Sequence, residues 1–105
     1  MEASASFRFL SLNEDQAKEI QLLIPSTELG EHYQTGKIVA SIKIIDSSLV
    51  VIIDEFRRKH TFMPTDCDVF VSIASEKQDE IWRAPKAVNY IINIVNCPIV
   101  FSYTC

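Results

Sequence analysis

Residues 46–60, Asp46-Ser47-Ser48-Leu49-Val50-Val51-Ile52-Ile53-Asp54-Glu55-Phe56-Arg57-Arg58-Lys59-His60, decide the fold because they read as strand or as helix. The β-branched run Leu49 to Ile53 suits a strand entered through an Asp46-Ser47-Ser48 turn. The same aspartate and serines suit a helix N-cap. Leu49, Ile52, Ile53, Phe56 and His60 share one helical stripe, and Arg57, Arg58 and Lys59 fall near a C-terminus, where the helix dipole favours cations. The stripe runs on into the charged residues, which a strand has no need of, so the pattern predicts a helix over 49–60.

Upstream, Ser6 to Ser11 alternates with Phe7 and Phe9 on one side, a short strand. Ser11 stands three residues before Glu14, a capping-box spacing. Ala17, Ile20, Leu23 and Ile24 follow at helical intervals until Pro25. Residues 26–36, with both glycines of the chain, read as an exposed loop. Lys37 to Ile45 alternates as a strand, with Ile38, Ala40, Ile42 and Ile44 on one face. Downstream, Asp68 to Ala74 is a strand with Val69, Val71 and Ile73 facing one way. Residues 75–78 read as a hairpin loop into a short strand over 79–83. Pro85 suits a first helical position, and Ala84, Val88, Ile91, Ile92 and Val95 form the stripe behind it. Asn96 and Pro98 end that helix, and Ile99 to Thr104 closes the chain as a strand. The expected fold is therefore α+β, a single domain over 1–105 in the order β-α-β-α-β-β-α-β. Helices would lie on one face of a sheet, a two-layer, ferredoxin-like sandwich.

Composition agrees with one domain. The 105 residues match the usual size of about 100–200 per domain. With 48% apolar residues there is material for a core without disulfide or metal staples. No apolar run approaches the roughly 18–20 residues that span a bilayer, and Met1-Glu2-Ala3-Ser4 does not open like a signal peptide. Two glycines, Gly30 and Gly36, are too few for a phosphate-cradling loop. Three cysteines, Cys67, Cys97 and Cys105, with no CxxC, give neither a disulfide framework nor a zinc ribbon. They read as reduced, mutually distant thiols of a cytoplasmic protein that carries no cofactor.

The segments Asp68-Val69-Phe70-Val71-Ser72-Ile73, Ala84-Pro85-Lys86-Ala87-Val88-Asn89-Tyr90-Ile91 and Pro98-Ile99-Val100-Phe101-Ser102-Tyr103 resemble a family of small bacterial ferredoxin-like domains. Some members of that family resemble immunity genes that lie beside secreted toxins. The resemblance covers roughly the second half of the chain and is one of pattern; loop 26–36 lacks the tryptophan of the family's middle segment. It implies a non-enzymatic inhibitor with a protein partner, and it brings no catalytic residue.

The chemistry-bearing clusters read mostly as structural. Arg57-Arg58-Lys59-His60 could hold phosphate, but a net charge of −4 opposes nucleic-acid binding, and a solvated helix end accounts for the cluster. His60 with Cys67 and an aspartate could make a metal site, and Cys67 with His60 or His32 a nucleophile pair, only if the fold joined them. Asp54 and Glu55 diverge by about 100° on a helix and suit Arg58 and Lys59 as i+4 partners. For a partner surface, Trp82 beside Glu76, Asp79 and Glu80 combines an aromatic anchor with acids, and Glu28 and Glu31 form a second acidic loop. An acidic surface of this kind would steer onto a basic toxin domain. The alternatives are a small-ligand or self-associating domain using the uncovered sheet face, and a small enzyme built on Cys and His.

Overall fold

The computed structural model describes residues 2–31, 36–74 and 83–104. These form an α+β fold, a mixed sheet of five strands with three helices. Strand β1 (Glu2–Leu12) is longer than the alternation at Phe7 and Phe9 suggested. Its first residues, alanines and serines of weak strand preference, are held by antiparallel pairing with β4 from Glu2↔Ala74 to Phe9↔Cys67. Near its end Phe9 pairs with Ala40 and Leu12 with Ile38, so β1 holds one extra residue against β3. That bulge turns Leu12 to the same face as Phe9, where both are buried.

The bulge also corrects the first helix cap. Ser11 stays in the strand, and Asn13 caps α1 (Glu14–Leu23) instead. The Asn13 side chain accepts from the Gln16 N–H at 2.8 Å, and the Asn13 N–H donates to Gln16 Oε1 at 3.0 Å. The box has the expected spacing, two residues later. Ala17 and Ile20 are buried, as is Ile24 at the cap, whereas Leu23 is exposed.

Residues 26–36 are not all loop, because β2 (Glu28–Glu31) pairs antiparallel with β3 (Ile38–Lys43). Its side chains are all exposed, so nothing apolar announces it; backbone pairing at a sheet edge does not need an apolar side chain. On β3, Ala40 and Ile42 face the core, and Ile44 just beyond is also buried.

The 46–60 segment is helical, as its stripe required: α2 (Ser47–Lys59) starts at Asp46, whose carboxylate accepts from the Ser48 N–H at 2.8 Å. Val50, Ile53 and Phe56 are buried, and Leu49 and Ile52 pack partly exposed against them. Thr61 follows in the left-handed region at φ 53°. There Phe62 N–H donates to Arg57 C=O and Thr61 N–H to Arg58 C=O, the paired bonds that close a helix C-terminus. A 3₁₀ turn over Pro64–Asp66 leads into β4 (Cys67–Ala74). Helix α3 (Lys86–Val95) ends at Asn96 in the left-handed conformation (φ 56°) anticipated for it, and β5 (Ile99–Thr104) runs parallel to β4. The strand expected over 79–83 falls mainly on 75–82, outside the described residues.

The sheet order is β2-β3-β1-β4-β5, and the described elements run β-α-β-β-α-β-α-β along the chain, with β2 a strand that the expected order lacked. Because β3 is antiparallel to both β1 and β2, the β1-α1-β2 unit is parallel with β3 inserted between its strands. In the same way β3-α2-β4 is parallel with β1 inserted. Phe7, Phe9, Ala40, Ile42, Cys67, Val69 and Val71 line one sheet face and form a single buried cluster with the helices' apolar stripes. The other face carries Ser4, Ser6, Arg8, Ser41, Lys43, Phe70 and Ser72, all at least partly accessible.

Candidate partner-binding site

The β2 edge brings Glu28 and Glu31 to the rim of the sheet, opposite Ser41 and Ile38 of β3. Strand alternation sends Glu28 to the uncovered face and Leu29 with Glu31 toward the helix side. A cleft of about 890 Å³ opens there, between the β2 edge and the start of α1. Glu14 and Glu31 supply its carboxylates, Lys37 its ammonium, and Leu29 and Ile38 apolar surface. Asn13 and Gln16 also line it but bond to each other in the helix cap. Gly36 sits at φ 68°, a conformation that favours glycine, and a Cβ there would stand 3.7 Å from Glu31 Oε1. This arrangement can present exposed carboxylates beside a half-exposed leucine to a cationic surface.

Of the residues expected to bind a partner, Glu28 and Glu31 are both exposed on this edge strand, their side chains on opposite faces of the sheet. Glu76, Asp79, Glu80 and Trp82 lie outside the described residues, as does His32. The chain leaves β4 at Ala74, three strands away from β2 in the sheet. Glu14 was read only as a capping residue; its sharing a cleft with Glu31 depends on the β2 pairing, which left no mark in the sequence.

The other clusters resolve into structural contacts. Asp54 binds Arg57 at 2.7 Å and Arg58 at 3.1 Å. Lys59 and His60 both reach Glu19 of α1, at 2.9 and 3.1 Å, so the basic run is matched by carboxylates. The hydrogen bonds from Lys59 and then His60 hold the Glu19 carboxyl below its ordinary range. The His60 ring also packs on Phe56 and Phe62. Burial pushes the Cys67 thiol up to about 12 and raises Cys97 as well, so both are held as thiols rather than nucleophilic thiolates. Cys67 and Cys97 are unpaired in a disulfide sense but not distant: the parallel register Val69↔Ile99, extended two residues back, sets them side by side. Among the described residues no group of His, Cys, Asp and Glu is arranged to hold a metal ion, and no helix is long and apolar enough to cross a membrane. The chain matches no protein-family model, and no curated protein or solved structure is similar to it.

Proposed function

We propose that the chain is a non-enzymatic protein-binding module of the immunity type, which neutralises a basic toxin domain in the cytoplasm by covering it with an acidic edge. The observation that carries this reading is the β2 edge, where Glu28 and Glu31 are both exposed and Glu14 lines the same cleft as Glu31. Clustered exposed carboxylates on a chain of net charge −4 attract a cationic partner from a distance and orient it on approach. The resemblance of the second half to immunity-associated domains points the same way. So does the ferredoxin-like reading, which the order β2-β3-β1-β4 over β1-α1-β2-β3-α2-β4 supports, with α3 and β5 as an addition. Trp82 with Glu76, Asp79 and Glu80 belongs to the same proposal as a second contact.

The test is co-purification with the product of the neighbouring gene, followed by an activity assay of that product with and without this chain. Capture and inhibition by wild type, lost in Glu28→Lys with Glu31→Lys, supports the reading. Capture unaffected by the double reversal refutes the edge as the binding surface. A second reading, a small-ligand site, is favoured by the 890 Å³ cleft itself, and a cationic metabolite would be its occupant. The Cys/His enzyme is disfavoured by the buried, protonated Cys67 and by the engagement of His60 with Glu19.

A further inference from the structure

Cys67 and Cys97 take no part in the proposed acidic site, and the fold brings them together from opposite sides of α3. Cys67 opens β4, and Cys97 lies between the end of α3 and the start of β5. The parallel pairing Val69↔Ile99 and the bond from the Val69 N–H to the Pro98 C=O at 2.9 Å hold the two segments alongside each other. Two residues back along both, Cys67 meets Cys97, and both are buried in the same core cluster. Neighbouring strands stand about 4.7–4.9 Å apart, inside the range of about 4.4–6.8 Å over which cysteine Cα atoms can be bridged. Electrostatics agree with that closeness. After burial, the strongest influence on the Cys67 thiol is the charge of Cys97, which raises it further.

The two thiols differ in access. Cys67 is fully buried, on a strand flanked by β1 and β5. Cys97 is 7% exposed and belongs to the connection Asn96-Cys97-Pro98, outside both α3 and β5. Pro98 has no N–H, so the ladder bond that residue 98 would donate to the Cys67 C=O cannot form. The connection therefore opens more readily than the elements beside it, and opening brings Cys97 to solvent first. Burial raises both thiols, and the charge of Arg57 acts against it on each. The Arg57 Nε is buried and has no hydrogen-bond partner among the described residues, so a cation with a spare donor stands near both sulfurs.

We propose that Cys67 and Cys97 are a redox-reversible pair that closes into a disulfide on exposure to a small-molecule disulfide, fastening α3 and β5 to the start of β4. The Cys97 thiol gives its proton to water as the connection opens, and its thiolate attacks one sulfur of the oxidant. A mixed disulfide forms, the oxidant's S–S bond breaks, and one thiolate leaves. Cys67, deprotonated in turn, attacks the Cys97 sulfur, forms the internal bond and expels the second thiolate. The oxidant gains two electrons and two protons, and the chain loses two hydrogens. A reducing compartment keeps the pair as thiols, and a rise in disulfide oxidant closes it. The closed form ties the last helix and strand covalently to the sheet. This pair is remote from the β2 edge, and its behaviour is independent of the acidic site.

The experiment exposes the folded full chain, with Cys105→Ser to remove the third thiol, to glutathione buffers running from reduced to oxidised, without denaturant. Free thiols are then blocked with an alkylating agent and the intact mass is read. At the oxidised end the chain should lose two hydrogens and take up no alkyl group. Peptide mapping should join Cys67 to Cys97, and dithiothreitol should restore both thiols. The oxidised chain should unfold in urea at a midpoint about 1 M higher than the reduced one, because the bond closes a long loop in the unfolded chain. Three results each overturn the proposal: both thiols still alkylated at the oxidised end, two bound glutathiones in place of an internal bond, or a urea midpoint no higher than that of the reduced chain.

Single variants in the same background, read the same way, test the order of attack. Cys67→Ala should stop at a mixed disulfide carrying one glutathione on Cys97. Cys97→Ala should leave Cys67 an unmodified thiol. Equal modification of the two variants contradicts the assignment of Cys97 as the attacking thiol.

Discussion

Replacing Asp68 by alanine tests how the uncovered sheet face is held together. Arg8 and Asp68 are direct partners across β1 and β4 and make a bidentate pair, with Nε to Oδ1 at 2.7 Å and Nη2 to Oδ2 at 2.6 Å. The guanidinium also lies 4.5 Å from the centre of the Phe70 ring, and its hydrogen bond to Asp68 holds its pKa above the ordinary arginine value. Breaking a fully buried pair from one side costs about 3–5 kcal/mol, because the surviving charge is left without a partner. Here the side chain of Asp68 is 6% exposed but that of Arg8 is 27% exposed, so the stranded guanidinium can still reach water and the Phe70 face. Asp68→Ala should therefore cost about 2–3 kcal/mol. Arg8→Met keeps the aliphatic stem on Phe70 and strands Asp68 instead. Urea unfolding of wild type, both single variants and the double variant gives the coupling, expected at about 1–2 kcal/mol. A coupling below about 0.5 kcal/mol would show the pair to be no stronger than a solvated surface contact, and the reasoning from its burial would fail.

Two further predictions rest on the C-terminal end of α2. Glu19 has its folded-state pKa depressed by Lys59 and His60, so its contribution to stability is complete above its ordinary 4.5 and is lost as pH falls through the lower folded value. Glu19→Gln should flatten the fall in stability below about pH 4.5, and an unchanged acid profile in chemical denaturation would exclude the contact as a contributor. Thr61 is a β-branched residue at φ 53°, so Thr61→Gly should raise stability by about 1 kcal/mol, read from the urea midpoint; a loss of stability would contradict the strain.

The elements legible in the sequence are those whose signals are local. Asp46 with the Leu49–Phe56 stripe specified α2 within its own turns, and Asn96 with Pro98 specified the end of α3. Where two local signals overlapped, tertiary packing chose between them: Ser11/Glu14 and Asn13/Gln16 both fit a capping box, and the burial of Leu12 by the bulge settled on the second. β2 was illegible because Glu28-Leu29-Gly30-Glu31 earns its strand conformation only from β3. The candidate site shares that fate. Glu28 and Glu31 were visible as acids, but their alignment on an edge and the approach of Glu14 follow from pairing between segments distant in sequence. The Glu19 contact to His60 spans 41 residues and leaves no pattern in either segment.

The central claim is that the β2 edge recruits a basic protein by charge. Its most direct measurement is the association rate of the neighbouring gene's product with wild type and with Glu28→Lys/Glu31→Lys, each at low and physiological ionic strength. Exposed charges are screened beyond about 8–10 Å as salt rises. Wild type should therefore associate fastest at low salt and slow steeply on adding it, while the double reversal should be slower at low salt and nearly salt-independent. Equal rates and equal salt dependence for the two proteins would contradict the claim.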